Sequence, residues 1–275
     1  MLVTRFSSNS NVIKSNSPLL DEQIKARVPS IFAQEKHESR SDRYTYIPTS
    51  ELLTELRKEG FQPFFACQAK SRVEGNHEFT KHMIRLRHES QIVQAEANEI
   101  IIINSHNGSS AYQMLAGCLR FACQNGLIRG DINNDIRIKH SGNIIDNVIE
   151  GAYTILDNFK SVDESKALLK SIALNPDEQR IFAETALMLR YDEKAPAGLA
   201  PEQLLKTNRR DDLSPDLWTT FNKIQENTIR GKIRFYDRES RKFGTTRAVN
   251  GIDQSVKLNK ALWTLAEKMA ELKAA

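Results

Sequence analysis

Cysteine is scarce in this chain: Cys67, Cys118 and Cys123 are the only thiols in 275 residues, and their spacing suits no metal. A sparse, odd set inside apolar runs excludes a disulfide scaffold and points to buried free thiols in a reducing compartment, with the cytoplasm as the expected location. Cys118 and Cys123 are about 17 Å apart along an extended strand, so they form no redox pair unless the chain bends between them. Long apolar runs are missing as well. No stretch approaches the roughly eighteen apolar residues that span a bilayer, and the opening MLVTRFSSNSNVIKSNSP lacks the apolar block of a secretion signal. Neither membrane insertion nor secretion is expected.

Catalytic and cofactor motifs are equally absent. There is no G-x-x-x-x-G-K loop and no G-x-G-x-x-G turn, which removes the usual support for nucleotide hydrolysis and dinucleotide chemistry. The six histidines, His37, His77, His82, His88, His106 and His140, form no His-x-x-x-His unit. His106 lies beside Asn104, Ser105, Ser109 and Ser110, but turns select Asn and Ser for backbone reasons, and no Asp or Glu is spaced to orient the imidazole. The expectation is therefore a protein without enzymatic turnover, cofactor or metal.

What the chain does contain is hairpin chemistry. In EIIIINSHNGSSAYQMLAGCLRFACQNGLIRG, residues 99–130, Asn107-Gly108 and Asn125-Gly126 punctuate three apolar runs. Both pairs hold positive φ readily and predict tight turns flanked by strands. Period-two alternation extends from Phe61 to His140. Residues 82–88 place His82, Ile84, Leu86 and His88 on one face and Met83, Arg85 and Arg87 on the other. Arg120 opposes Leu119 and Phe121, and Arg137 and Lys139 oppose Ile136 and Ile138. Together these strands predict a sheet with one apolar and one basic face, Arg85, Arg87, Arg120, Arg137 and Lys139. A solvated sheet face also gathers charge; a single sign is what favours a phosphate-binding reading.

Helical periodicity surrounds that sheet. Leu20 and Ile24 suggest a short helix after an N-terminal arm that ends at Pro18, and Thr49 or Ser50 is placed to cap a helix carrying Leu52, Leu53 and Leu56. A long stripe from Ile144 to Phe159 can cover the apolar sheet face. Asn175, Pro176 and Glu178 predict a capping box. Residues 192–200 are the best linker candidate, Ser214-Pro215 opens a further helix, and a last helix presents Leu258, Leu262 and Leu265. The fold class is thus α+β, an antiparallel β-sheet with long helices packed on one face, followed by a helical C-terminal region. Its organisation is an arm and short helix over 1–30, a core over 31–191 and the helical region over 192–275.

The most charged segment is RGKIRFYDRESRKFGTTR, residues 230–247, with seven Lys or Arg, two acidic residues and three aromatics. Counterion release makes such a stretch a natural phosphate binder, and interleaved aromatics can stack on the bases of a single strand. The alternative is a solvated loop. On the binding reading, Arg234, Arg238, Arg241 and Lys242 close over the strand while Tyr236 or Phe235 stacks. The formal charge of +4 permits a polyanionic partner without requiring one.

The segments KHESRSDRYTYIPT, EGFQPFFACQ, KHMIRLR, INSHNGSSAYQM, VIEGAY, DLWTTFNKIQEN, TRAVNGID and LNKALW occur in this order from about residue 30 onward. Together they resemble the plasmid- and prophage-encoded proteins of the domain of unknown function 932 (DUF932) family, of the YfjQ/YafZ-like type. The resemblance implies a mobile-element setting and carries no catalytic residues. A looser architectural likeness, a helix, a hairpin sheet and a long covering helix, is to single-strand annealing recombination proteins, which implies a basic groove and ring-forming homo-oligomers. The expected function is nucleic-acid binding, with single-stranded DNA favoured, in recombination, replication or plasmid transfer. The alternative is an anti-restriction or anti-defence module that docks on a host protein.

Overall fold

The structure is a computed structural model that describes residues 11–38, 46, 48–71, 73, 75–91, 96–110, 112–120, 125–128, 136–138, 144–207, 209–238 and 240–274. The chain divides into two compact units: the chain up to Gly126 with residues 132–159, and residues 127–131 with 160–275. The division at Phe159/Lys160 precedes the expected boundary at 191/192, because the helices on either side of residue 192 pack on one another.

The first unit is built on an antiparallel sheet. Its strands are β1 (Val12–Lys14), β2 (Phe61–Gln68), β3 (His82–His88), β4 (Glu96–Asn104), β5 (Tyr112–Arg120) and β6 (Asn125–Ile128), which neighbour one another in that order; β7 (Ile136–Ile138) pairs with β5. The α+β class holds. Part of the expected N-terminal arm is the edge strand β1, with Ile13 opposite Ala66. Gly108 has φ +73° in the β4–β5 connection, where the turn was expected. Asn125-Gly126, by contrast, opens β6 rather than forming a turn. Tertiary pairing there outweighs local turn preference.

Helices α1 (Asp21–Lys25), α2 (Thr49–Lys58) and α3 (Ile144–Asp157) belong to this unit. Val148, Gly151, Ala152 and Ile155 form the buried stripe of α3. Gly151 lets α3 approach closely, since a Cβ there would lie 3.1 Å from Met114 Sδ and 3.3 Å from Ile136 Cδ1, a tight fit against two flexible side-chain ends. The Phe61 and Tyr153 rings meet edge to face at 5.7 Å. Thr49 does not cap α2. It lies inside the first turn and its hydroxyl faces the sheet, 3.0 Å from His82 Nε2, while Asn104 Nδ2 donates to it at 3.0 Å.

The second unit contains α4 (Phe159–Ser171), α5 (Pro176–Tyr191), α6 (Leu217–Arg230), the hairpin β8 (Arg234–Asp237) and β9 (Lys242–Thr245), and α7 (Ile252–Ala274). The capping box of α5 forms as expected: Glu178 N donates to Asn175 Oδ1 at 2.9 Å, and Asn175 N to Glu178 Oε2 at 2.8 Å. Asp216, not Ser214, caps α6 by accepting from Thr219 N at 2.7 Å. An aromatic cluster of Phe182, Trp218, Phe221 and Trp263 joins α5, α6 and α7. The segment expected as a linker is folded: Leu199 is buried, and Gly198, at φ +89°, would put a Cβ 2.1 Å from Tyr236 O. Among the described residues, no helix is long and apolar enough to cross a membrane.

Candidate nucleic-acid interface

Of the five cations expected on one open sheet face, the four that are described, Arg85, Arg87, Arg120 and Arg137, do not share one exposed surface. His82 through Arg87 are buried without interruption, so both faces of β3 are covered, which is the burial pattern of an interior strand. Arg85 Nε lies 2.7 Å from Glu99 Oε2, and Arg87 Nε donates to Glu99 Oε1 at 2.9 Å. The Arg87 guanidinium also lies over the Phe64 ring at 4.0 Å. Burial lowers the Arg87 pKa from its ordinary range, and Glu99 offsets part of that shift. These two arginines hold a buried carboxylate and do not present charge to solvent.

Strand register separates the remaining members. Cross-strand partners share a face, and Arg120 pairs with Glu96, three residues from Glu99, so it belongs to the face opposite Arg85 and Arg87. Arg137 pairs with Gln113, which also opposes Ile103, and so has the parity of Arg85; it is exposed at the sheet's margin. Lys139 lies outside the described residues. Glu99 was missing from the sequence reading. Its even spacing from Ile101 and Ile103 puts it on their face of β4, and the register that sets Ile101 opposite Arg85 makes that the arginine side of the sheet.

Cys67 and Cys118 are buried free thiols, as expected, and burial pushes the Cys67 thiol up to about 12. Cys123 lies outside the described residues. His106 is fully buried in a polar cluster with Thr49, His82 and Asn104, with its Nε2 3.3 Å from Thr49 Oγ1. Burial, and then His106, hold the His82 pKa well below its ordinary value. All four of these side chains are buried. Among the described residues, no group of His, Cys, Asp and Glu has the arrangement of a metal site.

The basic segment in the second unit is structured and exposed. Residues 234–245 form a two-stranded hairpin in which Tyr236 pairs with Phe243 and Phe235 with Gly244. Alternation gives its two faces different work. Phe235 packs on Gly244, where a Cβ would be 2.3 Å from the ring, so Phe235 is not a stacking surface. Tyr236 and Phe243 lie on the other face, 43% and 72% exposed, with ring centroids 5.0 Å apart. Arg234 shares that face and sits 5.5 Å from the Phe243 centroid. Arg238, Arg241 and Lys242 are exposed around the tip, and Arg241 has φ +52° in the connecting turn. Of the ten residues expected to bind nucleic acid, five are thus together on this hairpin: Arg234, Tyr236, Arg238, Arg241 and Lys242.

The hairpin is anchored at its root. Lys232 N donates to Thr246 O at 2.8 Å, Thr246 N to Ile233 O at 2.9 Å, and Gln203 Nε2 to Arg234 O at 2.7 Å. Gly231, at φ +63°, closes against Arg247 O, which a Cβ would approach to 2.5 Å. Ordered backbone beneath an exposed aromatic pair lowers the entropic cost of stacking a flexible ligand.

The hairpin thus sets two exposed rings beside four exposed cations. The chain belongs to the family described as domain of unknown function (DUF932), whose model matches residues 36–263. It is similar to two proteins of Escherichia coli strain K12: UPF0380 protein YafZ, 47% identical over 268 residues covering 98% of this chain and 97% of that one, and UPF0380 protein YfjQ, 46% identical over the same shares. No solved structure matches the chain.

Proposed function

We propose that this protein binds single-stranded nucleic acid through the β8–β9 hairpin and handles single-stranded DNA of a mobile element during recombination, replication or transfer, without enzymatic turnover. The observation that carries this reading is the exposed pair Tyr236 and Phe243, flanked by Arg234, Arg238, Arg241 and Lys242. Water is a poor environment for two neighbouring rings, whereas a base stacked on them contributes about 1–3 kcal/mol. The cations supply the sequence-independent phosphate attraction. The sheet arginines Arg85 and Arg87 have no part in it, and Arg137 is an exposed cation outside the hairpin.

The test is fluorescence anisotropy of a labelled single strand, titrated at several salt concentrations beside its duplex. Salt-sensitive binding that favours the single strand is expected, and strand annealing is then the next assay. Equal, weak binding of both forms would refute the reading.

One observation favours the rival, docking on a host protein. Ile181 and Met188, 60% and 66% exposed, lie seven residues apart on one side of α5, and Leu189 beside them is 45% exposed. A pull-down that depends on Ile181 and Met188, in a protein without affinity for oligonucleotides, would favour it.

A further inference from the structure

A cleft of about 330 Å³ lies where the hairpin root meets the end of α6 and the 203–206 segment. Its walls carry four cations, Lys206, Arg230, Lys232 and Arg234, and no acidic residue among the described ones that line it. Glu226, one turn back along α6, accepts from Arg209 at 2.7 Å and from Arg230 at 3.2 Å. Lys206, Lys232 and Arg234 therefore keep a net positive field. It exceeds the partial negative charge at the end of α6, which is about half an elementary charge.

The walls are fixed by hydrogen bonds that do not involve the side chains of those cations. Asn227 Nδ2 donates to Leu204 O at 2.8 Å and to Lys206 O at 3.0 Å, tying the 204–206 segment to α6. Gln203 Nε2 ties the same segment to Arg234 O. Behind the cleft, Gly231 packs on Arg247 O and Lys232 N bonds Thr246 O, so the chain closes its back. Arg234 belongs to both places, lining the cleft and lying over the Phe243 ring.

We propose that this cleft receives the terminal phosphomonoester of a single strand whose adjacent base stacks on Phe243 and Tyr236, so that the protein recognises strand ends. This rests on reading the hairpin as the single-strand interface. A terminal phosphomonoester carries about 1.5 to 2 negative charges at neutral pH, against one on an internal phosphodiester. It thus matches a cleft lined by several cations, and by no carboxylate among the described residues, better than an internal phosphodiester does.

The experiment compares internally labelled single-stranded DNA of one sequence with a 5′-phosphate, with a 3′-phosphate and with neither, by fluorescence anisotropy on the full chain. One phosphorylated form is expected to bind about tenfold more tightly than the unphosphorylated strand. In Lys206→Gln/Lys232→Gln, a change at two exposed positions with the thermal midpoint measured as the control for folding, that difference is expected to disappear while the unphosphorylated strand keeps most of its affinity. Tyr236→Ala/Phe243→Ala weakens all three ligands by a similar factor. Equal affinities for all three in the wild-type protein would overturn end recognition and leave the single-strand reading standing. No binding of any of them would overturn both.

Discussion

Arg85 and Arg87 on β3 and Arg234 and Arg238 on the hairpin look alike in sequence, since both pairs are cations set among bulky apolar or aromatic side chains. Their fates differ completely. The first pair is 8% and 3% exposed and closes on Glu99, while the second is exposed beside two uncovered rings. Alternation reveals which side chains share a face of a strand but not whether that face meets water. In a wide sheet covered on both sides, a charged face must bring its own counter-charge, and Glu99 is that residue. A two-stranded hairpin has no second layer, so its aromatic and basic face stays open.

The largest expected effect tests the buried side of this contrast. Glu99→Ala leaves two buried guanidinium groups without their carboxylate and should cost about 3–5 kcal/mol. Calorimetry should then show a midpoint about 6 to 20 °C lower. The slope of oligonucleotide affinity against salt should not move, because neither arginine reaches the ligand. A stable Glu99→Ala protein with altered binding would mean that β3 belongs to the interface after all.

On the exposed side, Tyr236→Ala and Phe243→Ala should each weaken single-strand binding by about 1–3 kcal/mol with little change in stability. Titration with a poly-pyrimidine strand measures this, and Phe235→Ala gives the internal control. Removing the Phe235 ring uncovers Gly244 and should disturb hairpin packing instead of deleting a stacking platform. Arg238→Ala/Arg241→Ala/Lys242→Ala should make the slope of log affinity against log salt shallower by about 2, at roughly 0.7 for each phosphate that a cation neutralises on a single strand. An unchanged slope would take the hairpin tip out of the interface.

The smallest effect concerns acid stability and depends on the sheet unit alone. Burial depresses the His82 pKa in the folded state, so unfolding exposes an imidazole that takes up a proton more readily. Its contribution is fully present above the ordinary value near 6.5 and is lost as pH falls from there toward the depressed value. Its slope is at most about 1.4 kcal/mol per pH unit. Urea unfolding at about pH 7 and again at about pH 5.5, on either side of the ordinary imidazole value, checks this. The triple hairpin variant should show the same dependence as the wild type, and His82→Gln a flatter one.

Much of the fold was legible because its signals are local. The capping box of Asn175 and Glu178, the buried stripe of α3 and the hairpin at Gly108 depend on short-range geometry and formed where periodicity put them. Asn125-Gly126 misled because its preference for a turn is weaker than the pairing that draws it into β6. The 192–200 segment misled because Pro, Ala and Gly there serve close packing: Gly198 is needed where the chain crosses Tyr236 O. Thr49 was read as a cap and instead supplies the centre of a buried polar cluster, a role visible only once His82, Asn104 and His106 are brought to it.

The candidate site divides along the same line. Sequence by itself determined the α+β class, the membership of the DUF932 family and the concentration of cations and aromatics in 230–247, because composition and short-range period carry that information. Only tertiary structure decided that Arg85 and Arg87 face Glu99, that Arg120 belongs to the opposite sheet face, that Phe235 packs on Gly244 while Tyr236 and Phe243 stay exposed, and that Lys206 joins Arg230, Lys232 and Arg234 around one cleft. The physical reason is that burial and charge pairing are properties of surfaces meeting in space, set by strand register and layer count, and neither is encoded in the spacing of any one segment.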